Sequence, residues 1–153
     1  LCPFCALIAG IEREGVLSLH SDIIFQDDQV TVFIGAGQWP KNPGNTIIVP
    51  NEHFENIYDL PVRYAARIHE LVRAVAVAMK AAYHCDGVST RQHNEPCGGQ
   101  DVWHYHVHVT PRYQDDHFYD TYMMQRTLMP VEERADHARR LREQIANNRE
   151  LVR

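Results

Sequence analysis

Three of the ten histidines of this chain stand within five residues, in the run His104-Tyr105-His106-Val107-His108-Val109-Thr110. On a strand, side chains two apart point to one face. The run therefore predicts a row of imidazoles on one side, with Tyr105, Val107 and Val109 on an opposite, apolar side. Three adjacent imidazoles cannot all carry charge cheaply, because like charges repel, so at least one is neutral near pH 7. A neutral imidazole is a competent nucleophile or general base. Two other readings compete: a strand that turns polar residues to water, and a set of metal ligands. Three same-face positions span ~13 Å along a strand, too wide for one tetrahedral ion. At most one end of the row would then touch a metal.

Directly before the run stands Gly98-Gly99-Gln100. Glycines let backbone N–H groups approach a ligand without side-chain obstruction, and a concave run of such donors suits a phosphate. Asn94 and Gln100 add uncharged donors and acceptors. At the other end of the sequence, Cys2-Pro3-Phe4-Cys5 has the spacing of half a zinc site. The competing reading is two free buried thiols. A redox role would need a βαβ context, which the pattern lacks.

These residues need elements to position them. Apolar Phe4, Ala6, Leu7, Ile8 and Ile11 suit a short helix over 4–14. Ile23–Phe25 and Val30–Ile34 read as a hairpin, and Thr46–Val49 as the next strand, closed by Pro50. Between them, 35–44 reads as a loop. Ile68, Leu71, Val72, Val75 and Met79 recur at helical spacing, with Asp59 as N-cap, Pro61 at the first helical position and an end before Gly87. Val88–Gln92 and Val102–Val109 are strands on either side of a turn-rich loop. A charged helix over 130–145 carries a thin apolar stripe of Val131, Leu141 and Ile145. Strands in hairpin-like succession around one long helix predict an α+β fold with an antiparallel sheet.

Composition removes whole classes of function. Fifteen Lys+Arg face twenty Asp+Glu, a formal net charge of -5. Nothing basic is left over to neutralise a nucleic-acid backbone. No apolar run reaches the ~20 residues needed to span a bilayer, and no signal-peptide pattern opens the sequence. Four cysteines are too few for a disulfide scaffold, so the expected compartment is the reducing cytoplasm. His20, His69, His84, His93, His117 and His137 have no partner spacing and read as surface or helix residues, with only His93 near the cleft.

The 104–110 run resembles the signature of the histidine triad family, which alternates His with hydrophobic residues. The likeness extends through Asn94, Gly98, Gly99, Gln100 and Pro111-Arg112, and through 23–33 and 45–53. It implies a histidine triad domain over 1–113 and a C-terminal extension over 114–153, packed on the domain or on a dimer partner. It implies a homodimeric nucleotide hydrolase or transferase that releases a nucleoside monophosphate from a phosphoramidate, a dinucleoside polyphosphate or a related conjugate. His106 would attack the α-phosphorus and His108 would hydrogen-bond the phosphate. His104 would support the row, and Gln100 would contact the scissile or leaving-group oxygen. The backbone of Gly99 to Asp101 would cradle phosphate, and Asn94 would hold the ribose-phosphate side. Members that open with Cys-x-x-Cys resemble the arrangement here, which implies a structural zinc on Cys2, Cys5, His53 and His104. A zinc hydrolase with the His row as ligands and a non-catalytic nucleotide-binding module are the rival readings. Two departures stand out. Asn45 replaces a frequent His, and Ile34-Gly35-Ala36 replaces an Asp that would bind the ribose. Trp39 partly replaces that ribose contact, covers the base, or is a surface loop residue.

Overall fold

The computed structural model describes residues 2–153. In chain order the elements are α1 (Pro3–Ile8), β1 (Ile23–Gln26), β2 (Val30–Ile34), β3 (Gly37–Gln38), β4 (Thr46–Pro50), α2 (Val62–Tyr83), β5 (Gly87–Gln92), β6 (Val107–Arg112), α3 (Phe118–Thr121), β7 (Thr127–Leu128) and α4 (Val131–Asn147). The fold is α+β, with an antiparallel five-stranded sheet ordered β1-β2-β4-β6-β5. Among the described residues no helix is long and apolar enough to cross a membrane.

The sheet is covered on both faces, and strand alternation sorts the two cores. Val32, Ile34, Ile48, Val107 and Val109 face α2, through its Ile68, Leu71, Val75 and Met79. Phe33, Ile47 and Val49 face the other way, onto Phe4 and Leu7 of α1. The histidines lie on this second side, where Phe4 meets the rings of His104 and His106 edge-on. Helix α4 packs on α2, and its Ala138, Leu141 and Ile145 enter the main core.

Four local expectations are corrected. Helix α1 stops at Ile8, because Gly10 takes a left-handed φ of +68° and Ile11 finds no core partner. Pro61 is itself the N-cap of α2, with ψ 142°, and its carbonyl accepts the first helical N–H groups, so Asp59 caps nothing. The 35–44 segment contains β3, which pairs with β7 from the tail. Strand β6 begins at Val107 instead of Val102 and continues through Pro111 to Arg112. The preceding residues are held off the sheet: Tyr105 N–H donates to Phe54 O at 2.6 Å and His104 Nε2 to Pro50 O at 2.8 Å.

A buried ion pair fastens α4 to the wall of the cleft. Arg134 Nε lies 3.2 Å from Asp22 Oδ1, out of line for a hydrogen bond, and Arg134 Nη2 donates to Leu17 O. Burial pushes the Asp22 carboxyl above its ordinary pKa despite the guanidinium. Arg134→Ala should strand that carboxylate and cost about 3–5 kcal/mol of stability, measured by denaturant unfolding. Asp22→Asn combined with Arg134→Met should recover part of the loss. A loss under ~1 kcal/mol for the single variant would show that the pair does not secure α4.

Candidate active site

His106 and His108 line one cleft. Their ring centroids are 5.0 Å apart. Both border a cavity of about 140 Å³ whose wall is mostly apolar, from Phe4, Leu17, Ile47 and Val102. His106 Nδ1 donates to its neighbour's carbonyl, His104 O, at 2.7 Å. A carbonyl can only accept, so Nδ1 carries a proton, and in the neutral ring Nε2 keeps its lone pair for the cleft. The arrangement leaves an oriented imidazole with its Nε2 outward.

Asn45 performs the matching task for His108. Thr110 Oγ1 donates to Asn45 Oδ1 at 2.8 Å, which turns the amide nitrogen toward His108 Nδ1 at 3.4 Å. His108 Nδ1 therefore accepts, and its Nε2–H is free to donate to an anion. Burial, and then the neighbouring His106, hold His108 well below the usual imidazole pKa, so it donates as a neutral group. The departure at Asn45 thus has a positive role: it selects a tautomer.

Asp101 sits where an anion would arrive. Its Oδ1 is 3.6 Å from His106 Nε2, and its Oδ2 accepts from Arg126 Nη1 at 2.9 Å. His106 first, and Arg126 after it, keep this carboxyl well below its ordinary range. Arg126 lies flat over β3, and any Cβ at Gly37 would collide with its guanidinium. Sequence reasoning missed Arg126, Arg91 and Leu17 as cleft residues.

Three expected ligand groups are already engaged. Gln100 Nε2 donates to Glu55 O and Val102 O, while its Oε1 accepts from Glu95 N–H. That amide braces the loop and does not border the cleft, unlike the expected contact with a scissile oxygen. Asn94 Oδ1 accepts from Ile57 N–H and its Nδ2 donates to Gln92 Oε1. The N–H groups of Gly98, Gly99 and Gln100 close a turn onto Glu95 O and Pro96 O, so they do not form an open cradle. Gly99 supplies the turn's left-handed φ of +83°, with its carbonyl accepting from His93 Nδ1 at 3.0 Å.

Trp39 is buried, not a surface loop residue. Its Nε1–H donates to Tyr122 O at 2.7 Å, and it borders the cleft beside His108.

The end of the row turns away. His104 joins Cys2, Cys5 and His53, and one ligand atom from each lies within 4.8 Å of all the others. Cys2 Sγ to His104 Nδ1 is 3.4 Å, Cys5 Sγ to His53 Nδ1 is 3.3 Å, and Cys5 Sγ to His104 Nδ1 is 3.6 Å. A tetrahedral zinc with ordinary Zn–S and Zn–N bonds sets the S···N edge at about 3.5 Å, so these residues fit the ion. His104 Nε2–H is committed to Pro50 O, which leaves Nδ1 as the ligand atom, as an outer-shell partner should. Four protein ligands close such a site. His106 and His108 stand outside it.

The family model described as HIT domain matches residues 17–115. "Protein hit" of Bacillus subtilis (strain 168) is 32% identical over 112 residues, 73% of this chain and 71% of that protein. The purine nucleoside phosphoramidase of Escherichia coli (strain K12) is 29% identical over 92 residues, 60% of this chain and 76% of that one. The crystal structure of a Zn-bound histidine triad family protein from Mycobacterium smegmatis superposes with a TM-score of 0.76 at 23% identity, covering 97% of this chain and 96% of its own, a likeness of fold. A family match that takes in β1 to β6 and the whole histidine run makes this chain a member of the HIT domain family.

Proposed function

We propose that this protein is a nucleotide hydrolase or transferase that works through a nucleotidyl-His106 intermediate. The observation that carries the reading is the His106 imidazole, with its proton fixed on Nδ1 by His104 O and its bare Nε2 in the cleft. Nε2 attacks the α-phosphorus of a nucleotide conjugate. A P–N bond forms, and the bond to the leaving group breaks with its electron pair. Water then attacks the phosphorus, the P–N bond breaks back onto Nε2, and the monophosphate departs. Splitting one displacement into two lowers each barrier. His108 Nε2–H donates to a phosphoryl oxygen as charge builds there. The apolar cavity of Phe4, Leu17, Ile47 and Val102 takes the nucleoside.

His104 supports the row through its carbonyl. The zinc that Cys2, Cys5, His53 and His104 would hold serves structure: it fastens α1, and with it Phe4, against the row. The committed bonds of Gln100 and Asn94 assign them to shaping the loop beneath Asp101. The family resemblance also makes a cytoplasmic homodimer the expected form, which sedimentation tests as one species of twice the chain mass.

The test is a panel of adenosine 5′-phosphoramidate, diadenosine polyphosphates and adenylyl-amino acids, scored for monophosphate release. Release from at least one class is expected. No release from any, by folded protein, would contradict the reading.

Asp101 gives a separate prediction. Its carboxylate crowds the nitrogen that an anionic phosphate must approach, and like charges oppose binding. Asp101→Asn should tighten adenosine monophosphate binding by roughly fivefold in a calorimetric titration. Weaker binding would mean that the carboxylate helps to assemble the site.

A further inference from the structure

A second cavity, of about 170 Å³, opens on the far side of His108 and is bordered by Arg91, His93, Gly99, Tyr122 and Arg126. Trp39, Asp101, His108 and Arg126 border both cavities, so the two meet at His108. The first is apolar. The second carries two guanidinium groups against one carboxylate, and that carboxylate is shared with His106.

Arg91 is unusual in its surroundings. Its guanidinium carbon lies 4.9 Å from the ring centroids of Trp39, Phe118 and Tyr122. Nη2 reaches Thr110 Oγ1 only at 3.5 Å, and the buried Nε has no hydrogen-bond partner. Among the described residues no carboxylate forms an ion pair with it, whereas Arg67, Arg112 and Arg139 each have one. Burial lowers its pKa, the sign of a cation short of compensating charge. Burying a cation without an anion is unfavourable. Three rings hold this one in place regardless, at the border of a cavity that shares Asp101 and His108 with the first. Arg126 brings the second cation, carried in from the tail by the β3–β7 pairing.

We propose that this second cavity is a subsite for a phosphate-bearing leaving group, with Arg91 and Arg126 as its ligands. The preferred substrates are then nucleotide conjugates with phosphate on both sides of the scissile bond, the class of dinucleoside polyphosphates, and not phosphoramidates with a neutral amine. The inference rests on the nucleotidyl-transfer reading and names the substrate class for it. When His106 Nε2 forms its bond to the α-phosphorus, the P–O bond to the bridging oxygen breaks. The electron pair leaves on that oxygen, which becomes a terminal phosphate oxygen. Arg91 and Arg126 face the charge that appears there, and guanidinium groups suit phosphate as two-pronged donors. A departing amine needs a proton instead, which neither arginine can give.

The test uses two substrates with the same nucleoside half, diadenosine tetraphosphate and adenosine 5′-phosphoramidate. The measured quantity is the ratio of their kcat/KM values for the wild-type protein, Arg91→Met and Arg126→Met. The wild type should favour the tetraphosphate, and each variant should lower the ratio by about tenfold or more. Arg126 is half exposed, so its variant keeps the test valid even if Arg91→Met unfolds. An unchanged ratio, or an equal slowing of both substrates, would overturn the subsite. If the wild type turns over neither substrate, nor the adenylyl-amino acids, the nucleotidyl-transfer reading fails by itself. Calorimetry with inorganic pyrophosphate then decides the subsite: binding that is lost in Arg126→Met supports it, and no binding to the wild type overturns it.

Discussion

Replacing His106 with alanine is expected to reduce nucleotide turnover by roughly 10⁴-fold or more, as loss of an attacking group does elsewhere. The size follows from position. His106 Nε2 is the bare imidazole nitrogen in the cleft, while His108 is held as a donor by Asn45 and His104 is turned into the Cys2–Cys5–His53 cluster. No neighbouring imidazole can take over the attack. Nucleotide binding should change little, because the apolar cavity and His108 remain. The alanine also removes a buried ring that Phe4 packs against, so the melting temperature must be measured alongside the rate. Turnover within a few-fold of wild type, in folded protein, would remove His106 from the role of nucleophile.

Loss of metal should have the second-largest effect, and on stability more than on chemistry. Protein purified without added zinc should carry about one zinc per chain. Prolonged chelation, or Cys5→Ser, should lower the melting temperature by about 10 °C, the scale of a few kcal/mol in a domain of this size. The ion ties α1 to the loops that hold His53 and His104, so its loss frees one edge of the cleft while the α2–α4 core stays intact. Turnover measured at low temperature should persist, slowed by no more than about tenfold. Acid should weaken the same corner. In the metal-free chain burial pushes His104 down to about 4, from an ordinary value of 6.5. Below pH 6.5 the unfolded chain takes up a proton that folded His104 refuses, so stability falls from there toward pH 4. Protons also compete with metal for the same nitrogen. A metal-free chain with unchanged melting temperature, or a Cys2–Cys5 disulfide, would contradict the assignment.

Part of the site was legible in the residues alone, and particular elements show why. Alternation placed Val107 and Val109 in the main core, and so put the imidazoles on the other side of the sheet. The same alternation failed as a description of 102–106. A backbone bond from Tyr105 to Phe54 and a side-chain bond from His104 Nε2 to Pro50 O hold that segment off the sheet. Those bonds join residues about fifty positions apart, and no local pattern records them. Cys-x-x-Cys indicated two ligands by spacing, because both sit on one short turn of chain. Gln100 and Asn94 were visible as polar groups beside the row, but their hydrogen bonds turn inward to the loop. Arg126 carried no signal at all. It reaches the cleft through a two-residue strand pair, too short to leave a periodicity. His93, the one histidine outside the row that read as near the cleft, was the trace of the second cavity; Arg91, a lone cation in the otherwise uncharged strand β5, was passed over.

The central claim is that phosphorus becomes bonded to His106 during turnover. The most direct test is rapid quenching of a reaction with substrate labelled in its nucleotide half, followed by mass measurement of the protein and mapping of the adduct. One nucleoside monophosphate should be found on His106, through a bond labile to acid and stable to alkali, as expected of phosphorus on an imidazole nitrogen. Turnover that leaves no trappable adduct, and that stops on removal of metal from still-folded protein, would contradict the account and point to a metal-activated water instead.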